Sequence, residues 1–285
     1  MKLSNITVFI TAIMLFFPLS GFCQDNEDLV EKIGNGGINW TSGIIRAVGI
    51  GAPPENLYGK PEARPMALRA AQIDAYRNLL EVVEGVRIKS STMVKNFMVA
   101  DDSISAQVSG MIRGAQVANK KYFEDGTVEV TLEMSLKGGF AQLVLPQDIK
   151  QVEPIKATPP ASTGETNKKS SSDSFTGLVV DARGLNAKPA MSPRIIDENG
   201  QEIYGAAYVS REYAVQQGVS SYSKNMDSAV SNERVTNNPM IAKGIKTAGT
   251  GKSDIMISNA EASKLKGSPE NLAFMKKCRA IIVVD

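Results

Sequence analysis

The middle of the chain contains a stretch that is poor in apolar side chains and rich in proline, serine, threonine and charged residues, at 148–174. Such a stretch buries too little apolar surface to offset its chain entropy, and its composition is typical of a flexible linker. With 285 residues the chain is long enough for two modest domains. The sequence therefore predicts one domain at 36–147 and a second at 175–285.

The first residues have the pattern of a secretory signal peptide. Lys2 supplies a positive charge, residues 6–17 are almost all apolar, and Pro18 precedes a few mostly small residues and an acidic stretch. The apolar run is short for a membrane span. We therefore predict a signal peptide at 1–23, cleavage after Cys23 and a periplasmic protein, with association with the outer membrane as a further prospect.

Cys23 allows a second interpretation, in which it is the acylated cysteine of a lipoprotein. The residues Ser20 and Gly21 suit that pattern, whereas Phe22 is bulky at the position just before the cysteine. Ordinary cleavage predicts membrane contact that is peripheral at most, and acylation of Cys23 would predict a lipid anchor. Both interpretations stay open at this point.

Composition excludes several classes of function. The net charge of +2 gives no basic patch of the kind that binds nucleic acid. The chain has no histidine, which excludes Ser-His-Asp and Cys-His nucleophiles and histidine-containing zinc sites. After cleavage only Cys278 would remain, so no intramolecular disulfide can form. We expect a protein that is not an enzyme and has no cofactor or metal.

The first domain has the clearer periodicity. Residues 38–50 and 86–98 favour strands, and residues 62–84 form an amphipathic helix with an alanine-rich stripe that Gly85 ends. Residues 101–115 favour a second helix. A hairpin follows, with arms at 116–123 and 127–137, and its second arm alternates strictly between apolar and polar residues. This order predicts a βαβαββ domain of the α+β class, with an antiparallel sheet covered on one face by helices.

The second domain is less regular. We predict a buried strand at 175–181, a hairpin at 194–204 with its turn at Asn199 and Gly200, and a final strand at 280–284. Helices are predicted at 211–217 and at 269–278, the latter with Ser268 as its N-cap. Residues 218–240 show no clear pattern. The domain is predicted to be α+β as well.

Two segments resemble known bacterial envelope proteins. The sequence from Ala67 to Ile88, with the helix and alternating hairpin that follow, is similar to the Lpp-twenty lipoprotein family and to the N-terminal domain of flagellar assembly protein T. Residues 176–184 and 192–200 resemble the second domain of longer proteins of that kind. The resemblance implies an envelope protein without known catalysis, whose partners are envelope, outer-membrane or flagellar components.

Several short motifs imitate functional sites. Residues 249–253, Gly-Thr-Gly-Lys-Ser, suggest a phosphate loop, but its first glycine is missing and a turn between strands is the better interpretation. Gly49 and Gly51 imitate a dinucleotide fingerprint in which Pro54 replaces the third glycine. The carboxylate pairs at 101–102 and 124–125 lack the spacing of a calcium loop, so helix capping and a hairpin turn explain them better.

Four charged residues of the second domain are candidate ligand-binding residues. Asp181 and Arg183 follow a predicted buried strand, and Arg194 and Asp197 lie in the predicted hairpin. The alternative is an Asx turn and structural Arg–Asp pairs, which commonly fix loops. In the first domain Trp40 and Tyr58 are either an interaction patch or, for the tryptophan, part of the core.

We therefore expect an exported envelope accessory or assembly protein that acts by docking to other proteins. Its linker would let the two domains reach different surfaces, and the edge strand of its first-domain hairpin would add to a partner's sheet. The alternative is a periplasmic carrier that binds a small ligand or peptidoglycan fragment between its domains. An enzyme that works without histidine is a more distant third.

Overall fold

The structure, a computed structural model, describes residues 28–149 and 174–285. The predicted signal peptide at 1–23 and all but the ends of the predicted linker at 148–174 lie outside the described residues. Among the helices that the structure describes, none is both long enough and apolar enough to cross a membrane. We call residues 28–149 the first domain and residues 174–285 the second domain.

The first domain contains seven strands and four helices. They are β1 (Val30–Ile33), β2 (Gly36–Asn39), β3 (Ile44–Gly51), α1 (Ala63–Glu84), β4 (Arg87–Lys89), β5 (Thr92–Met93), α2 (Val94–Ala100), α3 (Asp102–Arg113), β6 (Gln116–Tyr122), β7 (Val128–Ser135) and α4 (Gly139–Val144).

Five of these strands form one antiparallel sheet in the order β1-β2-β3-β7-β6. Helix α1 packs against one face of β3 and β7, as its alanine stripe predicts. The approach is close: a Cβ atom on Gly49 would lie 2.0 Å from the backbone nitrogen of Ala75 and 2.4 Å from the carbonyl oxygen of Ala71. Glycine in the strand and alanine in the helix therefore set the spacing of the two layers.

The α+β class is confirmed, but three details of the first domain differ from the prediction. The predicted strand at 38–50 is a hairpin, because Gly43 turns the chain with φ +74° between β2 and β3. The predicted strand at 86–98 becomes helix α2 from Val94, where the Asn96 side chain accepts a hydrogen bond from the Met93 backbone. Strand β1 lies before the predicted domain start at residue 36 and adds an edge to the sheet.

The second domain contains eight strands and four helices. They are β8 (Gly177–Asp181), β9 (Ile195–Ile196), β10 (Glu202–Tyr204), α5 (Arg211–Gln217), β11 (Ser221–Ser223), α6 (Met226–Val230), β12 (Pro239–Lys243), β13 (Lys246–Ala248), β14 (Asp254–Met256), α7 (Asn259–Lys266), α8 (Pro269–Lys276) and β15 (Ala280–Val283).

Two four-stranded sheets organise the second domain. One is parallel throughout, in the order β11-β15-β8-β12, and the other is mixed, in the order β10-β9-β14-β13. Strand β15 is buried along its whole length, as expected for a central strand of a parallel sheet. The predicted first and last strands, the hairpin and both helices are confirmed, including the Ser268 cap that accepts from the Glu270 backbone. Residues 218–240, which had no clear pattern, supply β11, α6 and the start of β12.

The two domains share one continuous hydrophobic core. Trp40 of the first domain packs edge-to-face on Tyr222 of the second, with ring centroids 5.8 Å apart, and is buried. The buried Tyr222 hydroxyl donates to the carbonyl oxygen of Ala190 and accepts from its N–H. The Trp40 indole also donates to Glu31, which pairs with Arg87. Among the described residues the domains are therefore packed together, in contrast to the expectation that they reach different surfaces independently.

A loop of the second domain also closes around Ser90 of the first. It is the loop 249–253, which joins β13 and β14 as a turn, as the sequence predicted. The Ser90 hydroxyl donates to the carbonyl oxygen of Ala248 and accepts from the Ser253 N–H, at 3.1 and 3.3 Å. A Cβ atom on Gly251 would lie 2.1 Å from the Ser90 carbonyl oxygen. The glycines that imitate a phosphate loop therefore serve as an interdomain clasp.

The close packing of β3 on α1 predicts a strong effect of Gly49→Ala. The new methyl group would overlap helix backbone that cannot turn away, so we expect a loss of about 3 kcal/mol of unfolding free energy, the upper end for overpacking. Urea unfolding followed by circular dichroism measures it. Gly110→Ala in α3 is the control, because nothing lies within 4 Å of its added Cβ, and it should gain up to about 1 kcal/mol. Equal effects of the two substitutions would contradict this packing.

The clasp predicts that Gly251→Ala weakens the contact between the domains by about 1–3 kcal/mol. Trp40 is the single tryptophan of the chain and lies at that contact. In the unsubstituted protein, tryptophan fluorescence and far-ultraviolet circular dichroism should report one coincident unfolding transition. In Gly251→Ala the fluorescence transition should come first. Gly139→Ala, whose added Cβ would lie 3.7 Å from the Met111 side chain, an ordinary van der Waals distance, should keep the two transitions together.

Candidate functional site

The structure places Asp181 and Arg183 together at the carboxyl end of β8. The Arg183 guanidinium donates two hydrogen bonds of 2.8 Å to the two oxygens of Asp181, and the Arg183 N–H donates to the same carboxylate. The side-chain hydrogen bond from Arg183 holds the pKa of Asp181 below its ordinary value. These contacts are those of the predicted alternative, an Asx turn with a structural Arg–Asp pair.

Arg194 and Asp197 lie on the other sheet and do not pair with each other. Arg194 donates to Asp254, a buried carboxylate on β14, at 2.5 and 3.1 Å, and this hydrogen bonding raises the pKa of Arg194. One carboxylate oxygen of Asp197 accepts from the backbone N–H groups of Asn199 and Gln201 and so fixes the hairpin turn. The four predicted binding residues therefore serve separate structural contacts.

The most unusual surface of the first domain is strand β6 at the end of the sheet. All seven of its residues are exposed, whereas its neighbour β7 is buried on one face. Helix α1 covers β3 and β7, and β6 extends beyond that helical layer. Among the described strands, β6 pairs only with β7. The opposite end of the sheet, β1, has only four residues, and short edge strands are a common protection against unwanted pairing.

The outer backbone groups of β6 can be identified from its register. Phe123 donates to Thr127, and Lys121 and Asn119 face Glu129 and Thr131. The register shifts at a bulge between Val117 and Asn119. Beyond it the residues alternate regularly, so the N–H and C=O groups of Lys120 and Tyr122 point away from β7. In agreement, the Lys120 N–H donates to the side-chain oxygen of Asn119 at 2.9 Å rather than to a strand.

An aromatic recess lies at the Tyr122 end of β6. It measures about 580 Å³ and is lined by Tyr58, Phe123, Arg64 and two prolines, among others. Tyr58, Tyr122 and Phe123 are 55, 51 and 46% exposed, and the Arg64 guanidinium lies 6.0 Å from the Tyr122 ring centroid. Tyr58 therefore belongs to an exposed patch, as one of the two sequence interpretations predicted, whereas Trp40 belongs to the core.

A second recess lies at the Gln116 end of the same strand. It measures about 460 Å³ and its wall includes Met111, Met134, Phe140 and Ile44. Methionine is a flexible side chain that adapts to varied apolar partners. The seven residues of β6 separate the two recesses by about 20 Å, the length of a seven-residue strand. We call β6 with these two recesses the edge site.

Residues suited to chemistry are scarce elsewhere in the described parts of the chain. Within residues 28–149 and 174–285 there is no group of three or more histidine, cysteine, aspartate or glutamate side chains that could hold a metal ion. Burial raises the pKa of the Cys278 thiol to about 12, so this thiol stays protonated and is a poor nucleophile. Asp101 caps α3, and Asp125 accepts a hydrogen bond in the hairpin turn, as the sequence predicted.

The sequence indicated the β6–β7 hairpin through the strict alternation of β7, and it indicated that this hairpin has an edge strand without identifying which arm. It did not indicate the two recesses, because their walls combine residues that are far apart in the chain, such as Tyr58 with Phe123 and Met111 with Met134. The only available signal was the mixed composition of β6, in which apolar and polar residues do not alternate.

The chain was compared with known proteins. No curated protein matches it. The resemblance of the first domain to Lpp-twenty lipoproteins and to flagellar assembly protein T stays a prediction. Residues 177–285, nearly the whole of the second domain, match the family described as the second domain of Treponema pallidum Tp0624, so the second domain of this chain is similar to a domain that also occurs in that protein.

Proposed function

We propose that this protein is a non-enzymatic accessory or assembly protein of the bacterial cell envelope, and that it docks a partner by strand addition at the edge site. The observation that carries the proposal is the open strand β6, exposed at all seven residues with backbone groups directed away from the sheet. An extended segment of a partner would pair with these groups, which is a recurring mode of peptide recognition.

The two recesses define what such a partner would offer. An extended segment of about seven residues would cover β6 and would place apolar side chains near both of its ends, over the aromatic recess and the methionine-lined recess. Its middle would face Lys120, which favours an acidic side chain, whereas Lys121 is already paired with Glu129. Lys120 opposes pairing of β6 with a second copy of itself, because such pairing would bring like charges together.

The recesses between the domains favour docking over the carrier alternative. The two that line the seam measure about 40 and 80 Å³, whereas sites for small-molecule ligands usually measure about 300–1,000 Å³. A peptidoglycan fragment would need the domains to separate and so to lose the Trp40–Tyr222 contact and the clasp at Ser90. The periplasmic location belongs to the same proposal, and its support is the signal-like pattern at residues 1–23.

Two substitutions of Lys120 distinguish the contribution of its backbone N–H to partner affinity from the contribution of its side-chain charge. Lys120→Pro removes the outward N–H without removing a β6–β7 hydrogen bond, so partner binding should weaken by about 1–3 kcal/mol, or roughly 5- to 150-fold. Lys120→Ala keeps the N–H and removes only the charge, and it should weaken binding by a few-fold. The measurement is the affinity of the purified variants for the envelope protein that cross-links to a photoreactive side chain at position 120 in cells.

Asn119→Ala should raise the affinity for the partner, whereas the Lys120 substitutions should lower it. It frees the Lys120 N–H from the Asn119 side chain, so an incoming strand would not have to displace that hydrogen bond, and binding should strengthen. Lys95→Ala on α2 is a control away from β6. The proposal would be abandoned if Lys120→Pro and Lys120→Ala, both folded by circular dichroism, bound the partner equally well.

A further inference from the structure

One recess between the domains, lined by Trp40, Thr41 and Tyr222 among others, has an unbalanced charge. Lys137 of the first domain lines it, and none of the described residues in its wall is acidic. Directly behind the wall lies Arg234, whose guanidinium donates to the backbone oxygens of Cys278, Gln217 and Gly218 at 2.7, 2.8 and 2.6 Å. Gln217 and Gly218 are wall residues, so two cations meet at this seam without a carboxylate among the described wall residues.

This surplus of positive charge affects the pKa of Lys137, and burial affects the pKa values of both cations. Burial, together with the charge of Arg234, lowers the pKa of the Lys137 ammonium. Burial also lowers the pKa of Arg234, which stays charged because a guanidinium is not deprotonated in proteins. Both side chains are partly withdrawn from water, and a charge in that position is costly unless an opposite charge or hydrogen-bond acceptors accompany it. This recess is therefore a place where an anion would be stabilised.

The recess also offers hydrogen-bond donors for an anion. The Lys137 ammonium donates one hydrogen bond to the Ser42 carbonyl oxygen, at 3.2 Å, and retains two further N–H donors. Thr41 and Ser221 each accept a hydrogen bond and retain a hydroxyl hydrogen to donate.

We propose that this recess binds a small monovalent anion of halide size, held by Lys137 and the hydroxyl groups of Thr41 and Ser221. Its volume of about 40 Å³ decides the size, since one water occupies roughly 10–15 Å³ on the same scale. A halide therefore fits, whereas a sugar, a nucleotide or a sulfonate buffer does not. Because wall residues come from both domains, the bound anion would also hold the domains together. The inference is independent of docking at the edge site.

Bromide is the probe that tests the site. The melting temperature of the mature protein is measured while sodium bromide replaces sodium gluconate at constant ionic strength, because gluconate is too large for the recess. By mass action, each tenfold rise in bromide above its dissociation constant should multiply the folded-to-unfolded ratio about tenfold. Lys137→Gln should abolish this rise. Lys95→Gln removes an exposed lysine of α2, away from both the recess and the edge site, and should keep it.

A second measurement does not depend on the variants. Crystals of the unsubstituted protein soaked in bromide should show an anomalous-scattering peak in contact with the Lys137 ammonium. Equal bromide responses in the unsubstituted protein and in Lys137→Gln would overturn the proposal. So would bromide peaks confined to other parts of the surface. If Lys137→Gln does not fold, the position of the anomalous peak decides the question alone.

Discussion

The close contact between helix α1 and strand β3 is the constraint on which the first domain depends. Gly49 and Gly51 place no side chain between the strand and the helix. The facing residues of the helix are the small, fully buried Ala67, Ala71 and Ala75. Because the backbones of α1 and β3 approach so closely, the helix is centred over β3, and the helical layer cannot widen or shift to another part of the sheet. The helix therefore covers β3 and β7, and the outermost strand β6 stays exposed on both faces. The position of α1 over β3 and β7 thus accounts both for the tight packing and for the open edge at β6.

Local patterns predicted most of this architecture because the forces behind them act over a few residues. The alanine stripe of α1, the alternation of β7, the cap at Ser268 and the turn at Gly200 each depend on neighbours within one or two turns of chain. The errors arose where a local signal had two outcomes. Val94 and Phe97 favour a strand by composition, yet the Asn96 side chain, which accepts a hydrogen bond from the Met93 backbone, begins helix α2 there. Gly43 suited a bulge or a turn equally well.

The candidate sites were harder to predict because they are built from contacts that are remote in the chain. Asp181 with Arg183 was a sound local inference, and the pair exists. The partner of Arg194, however, is Asp254, sixty residues away on a neighbouring strand. The same holds for the clasp, in which Gly251 matters only because Ser90 of the other domain lies against it. A glycine-rich motif in a sequence shows that something approaches the backbone closely, and only the fold identifies what it is.

The hydrogen bond from the Lys120 backbone to the Asn119 side chain has a consequence for selectivity. A side chain tethered to its own strand is present at a high effective concentration, so a single amide or water that arrives from solution competes poorly with it. A long extended segment competes differently, since several backbone groups engage together and only one of them must displace the tether. In the proposed docking the asparagine would therefore act as a threshold: brief or partial encounters would leave the edge closed, and a segment long enough to reach from one recess to the other would open it.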